Sequence, residues 1–201
     1  MAEDRRGCHP PHVIADASTD CSLERVRKYY GPENFEPDGA IKMITLAPEL
    51  PGGMETVESL SKSGTLVSIG HSEVDYESAA TAIQKGATMI THLFNAMAPL
   101  HHRDPGPFGV ITKTRTSASF QHLSPHERPY FGIIADGIHL HAASVSLAFA
   151  THPDGLILVT DAVRYQGCAD GTYDWTNGQR VEKKGAVVML EKQKTIAGRS
   201  V

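Results

Sequence analysis

The chain has 201 residues, 40% of them hydrophobic and 21% charged, with a net charge of -4 and 11 histidines. That balance fits a soluble globular protein with a sizeable core and argues against nucleic acid or an anionic membrane as partner. The three cysteines, Cys8, Cys21 and Cys168, form no C-x-x-C pair, which disfavours a disulfide framework and suits a reducing compartment. No run reaches the roughly 18 apolar residues of a membrane span, and the opening MAEDRRGCHPPH lacks the apolar stretch of a secretory leader. The expectation is a soluble, cytoplasmic protein.

In chain order, IKMITLA is the first segment that reads as a strand covered on both faces. METVESLSKSG follows as a helix, offering Val57 and Leu60 to a core before Gly64. TLVSIG is the next strand. SEVDYESAATAIQKGA is helical, with Tyr76, Ala79, Ala80 and Ile83 on one stripe, Ser72 and Asp75 as an S-x-x-D start signal and Gly86 as a stop. TMITHL is a third strand. The stretch 95–129 breaks the rhythm: it is rich in Pro, His, Gly and Ser, and VITKT is its one strand-like piece. A connection of that length usually carries function or is disordered.

YFGIIAD reads as the fourth strand and HAASVSLAFATHP as a helix presenting Val145, Ala148 and Phe149. LILVTD is the fifth strand. After it, QRVEKKGAVVMLEKQKTIAG resembles antiparallel strands turning at Lys184-Gly185 and near Gln193. Strands alternating with helices imply parallel βαβ units, hence an α/β fold with a small β appendage.

In such folds ligands bind at the carboxyl ends of the strands. Those ends carry Glu49, His71, His92, Asp136 with His139, and Asp161. Each admits a plain structural role. His71 and His92 are either hydrogen-bonded loop residues or, as a pair on adjacent strands, ligands of one cation. Asp161 is either a turn cap or a general base beside a metal-bound water. Asp136 alone reads as structural, while His139 could meet a substrate anion. Arg103, in HHRDPG, is either solvated or a phosphate-binding fork. His101 and His102 read as surface residues.

The segments MITLAPE, SIGHS, THLFNAM, HHRDPG, IIADGIH and LVTDA, in this order, resemble the N-acetylglucosamine-6-phosphate deacetylase family of the amidohydrolase superfamily. The resemblance implies a metal-dependent (β/α)8 TIM barrel with a small β domain. This chain would hold about strands 4–8 of the barrel in residues 1–170. Residues 171–201 would be a β-rich part of the small domain and the start of a substrate-closing loop. It implies hydrolysis of the N-acetyl group of N-acetylglucosamine 6-phosphate, in amino-sugar catabolism, by a metal-activated water.

By resemblance, His71 and His92 ligate a divalent metal, zinc, and Asp161 is the catalytic acid/base. Cys8, His9, Asn95, Ala96, Arg103, Asp136, His139, Ile196, Ala197 and Gly198 match or adjoin substrate-binding positions. His9 would polarise the amide carbonyl, Arg103 and His139 would hold the phosphate, and the active form would be a homodimer.

Against the family pattern, an H-L-E-G-P-type stretch bearing an early acidic metal ligand is absent, and the chain stops at IAGRSV. We therefore expect a fragment lacking the family's N-terminal part and C-terminal end, poorly active by itself. The alternative is a truncated non-catalytic isoform or pseudoenzyme that binds sugar phosphate or a full-length subunit.

Overall fold

The computed structural model describes residues 12–14, 21–35, 39–113, 128–175, 178–192 and 196–199, those of 12–14 and 197–199 by backbone only. The chain divides after Leu158 into two compact units. The boundary read from sequence lies twelve residues later, because residues 159–170 already serve the second core. There Val163 and Tyr165 pack with Val181 and Val188.

The first unit is a run of strand–helix repeats: β1 (His12–Ile14), α1 (Leu23–Tyr30), β2 (Met43–Leu46), α2 (Gly53–Lys62), β3 (Leu66–Ile69), α3 (Tyr76–Gln84), β4 (Ala87–Ile90), α4 (Gly106–Gly109), β5 (Tyr130–Ile134), α5 (Ala142–Thr151) and β6 (Leu156–Val159). The sheet order follows the chain from β1 to β6. The pairings from β1 to β5 are parallel. This is the α/β fold expected. All five strands read from the sequence are present, and β1, α1 and α4 are additional.

Ile44, Val67, Ile69, Ile90, Phe131 and Ile133 are fully buried between the strands' neighbours and the helices. Burial of each such side chain contributes roughly 1.5–3 kcal/mol. α2 buries Val57 and Leu60, and α3 buries Ala79, Ala80 and Ile83.

Three local expectations are corrected. Ser72 does not start α3. Asp75 caps it, its side chain accepting the Ser78 N–H at 2.7 Å, and that bond holds its carboxyl below the usual range. VITKT forms no strand over its described residues: 110–113 are turns and bends, with Val110 and Ile111 buried. β6 is not covered on both faces, since Ile157 and Leu158 are exposed on the outermost strand of the sheet, and on α5 Phe149 also faces outward.

The second unit is an antiparallel sheet of β7 (Gly171–Asp174), β8 (Arg180–Lys184), β9 (Val187–Leu190) and β10 (Ile196–Arg199), in the order β10-β9-β8-β7. The Lys184-Gly185 turn is as read, with Gly185 at positive φ. Lys183 is buried yet satisfied, its Nζ donating to Asp170 Oδ1 at 3.2 Å and to the Gly185 carbonyl at 2.9 Å.

Candidate functional site

The rim of the first unit is built by repetition. His71, His92 and Asp136 each stand two residues beyond the end of a strand, β3, β4 and β5. Parallel pairing aligns these ends, since Ile69 sits opposite Ile90. The chain then turns sharply. Among the described residues, the non-glycine residues at positive φ are His71 (51°), His92 (28°), Phe94 (75°), Ala96 (45°) and Asp161 (52°). Conformations of this kind cost of order 1–3 kcal/mol each and persist where surrounding structure enforces them, typically at functional sites.

The enforced turns bring the two imidazoles together. His71 Nε2 and His92 Nε2 are 3.1 Å apart, with ring centroids 4.8 Å apart and planes at 75°. Two bonds of about 2.05 Å at a tetrahedral angle would place ligand nitrogens about 3.3 Å apart. The pair therefore fits two ligands of one divalent cation. Among the described residues, no group of three or more His, Cys, Asp or Glu side chains converges in this way.

Beneath the pair lies a polar seam. Thr91 Oγ1 is 2.9 Å from Thr45 Oγ1 and 2.6 Å from Ser68 Oγ, joining β2, β3 and the end of β4. Gly70, directly before His71, lets this approach occur. A Cβ there would lie 2.6 Å from Thr91 Cβ and 2.8 Å from Thr45 Cγ2.

Glu49, expected as a rim carboxylate, points instead into the loop after β3. Its two oxygens accept Ser72 Oγ–H and the Glu73 N–H, each at 2.7 Å. Ser72 in turn exchanges backbone bonds with the loop after β4: its N–H donates to the Ala96 carbonyl and its carbonyl accepts the Ala98 N–H, both at 3.1 Å.

Asn95 is half-buried in that loop, its Nδ2 3.4 Å from the carbonyls of His92 and Leu93. Phe94 stacks on Phe108 at 5.3 Å, anchoring the loop over α4. Arg103 is exposed beside His101 and His102, whose rings lie 4.1 Å apart. Asp104 fixes this segment by accepting the N–H groups of Tyr76 and Gly106.

Asp136 and His139 form a closed unit. Asp136 Oδ1 accepts the N–H groups of Ile138 and His139, and Oδ2 meets His139 Nδ1 at 2.7 Å. Burial alone would raise the Asp136 carboxyl, but the N–H groups of His139 and Ile138 and the His139 ring outweigh it and hold it at about 2. Both oxygens are thus spent on orienting His139.

The remaining candidates belong to the second unit or fall outside the described residues. Asp161 stands two residues beyond β6 and belongs to the second unit. Ile196, Ala197 and Gly198, expected in a loop, form β10 against β9, with a register shift between Ile196 and Gly198. Cys8 and His9 fall outside the described residues. Sequence reasoning overlooked the roles of Glu49, Ser72, Gly70 and Thr91. The available signal was the glycine directly before a strand-end histidine.

No protein-family model matches the chain. Among curated proteins it is similar to N-acetylglucosamine-6-phosphate deacetylase of Danio rerio, 39% identical over 198 residues, which is 98% of this chain and 46% of that protein. The corresponding protein of Lysinibacillus sphaericus is 46% identical over 176 residues, 87% of this chain and 40% of that protein. The chain thus spans less than half the length of these relatives. Among solved structures it is similar to a variant of N-acetyl-D-glucosamine-6-phosphate deacetylase from Mycobacterium smegmatis in complex with N-acetyl-D-glucosamine-6-phosphate. That match has a TM-score of 0.71 and 29% identity over 89% of this chain and 42% of the other.

Proposed function

From its homology to the N-acetylglucosamine-6-phosphate deacetylases over nearly its whole length, we propose that this chain carries metal-ligating and acid/base residues of that hydrolysis. The reaction would convert N-acetylglucosamine 6-phosphate and water to glucosamine 6-phosphate and acetate. The observation that carries the reading is the 3.1 Å approach of His71 Nε2 and His92 Nε2 on adjacent parallel strands.

His71 and His92 would hold a divalent cation, zinc in our reading, which when bound would act as a Lewis acid and make water a better nucleophile at neutral pH. The Asp161 carboxylate takes a proton from water and returns it to the departing amine nitrogen. Its support is position: like the two histidines, it stands at positive φ two residues past a strand.

His139, oriented by Asp136, and Arg103 bind the sugar phosphate, so that remote binding energy positions the amide. Asn95, Ala96, Cys8 and His9 bind the sugar and its acyl group, with His9 polarising the carbonyl. Ile196, Ala197 and Gly198 close over the substrate, and the active form is a homodimer in the cytoplasm.

The test is acetate release from N-acetylglucosamine 6-phosphate by the purified, zinc-loaded chain, alongside its metal content. His71→Ala is expected to lose the metal, and Asp161→Asn to lower kcat about 10²–10⁴-fold with the metal retained. Zinc binding unchanged in His71→Ala, or turnover unchanged in Asp161→Asn, would overturn the reading. Binding of sugar phosphate without acetate release would limit the chain to recognition.

A further inference from the structure

We infer that Glu49 and Ser72 are positioning residues that hold the His71 and His92 loops in register for metal binding, a conclusion that rests on the metal-binding reading of that pair. The strand-end acid Glu49 directs both carboxylate oxygens at the segment that follows His71. Ser72 is buried to 1% exposure and bonds in three directions. Its hydroxyl donates to Glu49 and accepts the Val74 N–H at 3.2 Å, while its backbone forms a two-way bridge to Ala96 and Ala98.

The bridge ties the residue after His71 to the loop that follows His92. Four residues in these loops, His71, His92, Phe94 and Ala96, hold positive φ. Without a tie, each would relax toward ordinary backbone angles, and the imidazoles would separate. The carboxylate is well suited to the task. Two charge-assisted hydrogen bonds from one side chain fix both the hydroxyl rotor of Ser72 and the direction of the chain at Glu73. Partners that hydrogen-bond a metal ligand directly are typically worth 10–100-fold in metal affinity, and a tie that fixes both ligand loops through the backbone is taken on the same scale.

The test titrates Co²⁺ into the purified chain, following the metal's visible absorption, with thermal melting of each variant measured separately. Glu49→Ala and Ser72→Ala are each expected to weaken Co²⁺ binding about 10–100-fold, at temperatures where both variants remain folded. Glu49→Gln keeps an acceptor for the Glu73 N–H and can donate to Ser72. It is expected to recover most of the affinity with an unchanged spectrum, which separates positioning from ligation. A merely structural role would lower the melting temperature and leave the affinity unmoved. His71→Ala is the control. If it binds Co²⁺ as the parent does, the reading of the histidine pair fails. If it loses Co²⁺ while Glu49→Ala and Ser72→Ala retain parental affinity, the clamp alone is overturned.

Discussion

His139 turns its Nδ1 onto Asp136 Oδ2 at 2.7 Å, and the two side chains are 7% and 5% exposed. An acceptor carboxylate on Nδ1 makes that nitrogen a proton carrier and fixes the orientation of the ring. Both Asp136 oxygens accept hydrogen bonds from the turn 136–139.

The Asp136 carboxyl sits at about 2 rather than 3.8 in the folded protein, so folding favours its ionised form. The stabilisation is complete above pH 3.8 and is lost as pH falls through about 2. Its size is about 1–2 kcal/mol, allowing for the loop's contact with solvent. Asp136→Asn should therefore be less stable than the parent by that amount at pH 7 in urea unfolding. The gap should shrink below pH 4, and a gap independent of pH would refute the assignment. On the proposed function, the same variant should raise KM for N-acetylglucosamine 6-phosphate more than it lowers kcat.

Legibility in the sequence followed physical range. β2 to β5 were readable because burial makes strands apolar, β6 from its apolar run alone although Ile157 and Leu158 are exposed, and α2 and α3 because their stripes recur at helical spacing. β1 and β7 were not: HVI and GTYD are too short, and too polar in the second case, to stand out from loops. VITKT misled because Val110 and Ile111 are buried by a turn rather than by a ladder. Within the site, His71 and His92 were legible as residue types at strand ends. The direction of Glu49 and Asp136 was not, since a carboxylate's orientation depends on which N–H groups a turn presents.

His152 provides a second pH-dependent prediction. It ends α5, is buried against Phe131, and its Nδ1 has no hydrogen-bond partner among the described residues. Burial, helped by the nearby Arg128 guanidinium and opposed by Asp154, holds its pKa below 6.5. Folding thus favours the neutral ring. This contribution is intact above pH 6.5 and is lost as pH falls from there through the lowered folded value. His152→Gln should lessen the loss of stability between pH 7.5 and 5, measured by urea unfolding of both proteins. Equal slopes would show that the ring is not held neutral.

The last prediction concerns the floor of the histidine pair. The clash at Gly70 is with atoms that cannot step aside. Thr91 Cβ and Oγ1 would lie 2.6 and 2.9 Å from an added Cβ, and Thr91 is tied by its hydroxyl to Thr45 and Ser68. Gly70→Ala must therefore spread β3 from the end of β4 or break the hydroxyl seam, at a cost of about 1–3 kcal/mol. For a chain of this size that lowers the melting temperature by roughly 2–4 °C per kcal/mol. The spreading acts one residue before His71 and one before His92, so Zn²⁺ affinity should fall with stability. Thr91→Ala keeps the offending Cβ, and the double variant Gly70→Ala/Thr91→Ala should not be rescued. Parental melting and parental zinc affinity in Gly70→Ala would mean that the strand ends do not depend on this contact, and the spacing of the two imidazoles would need another origin.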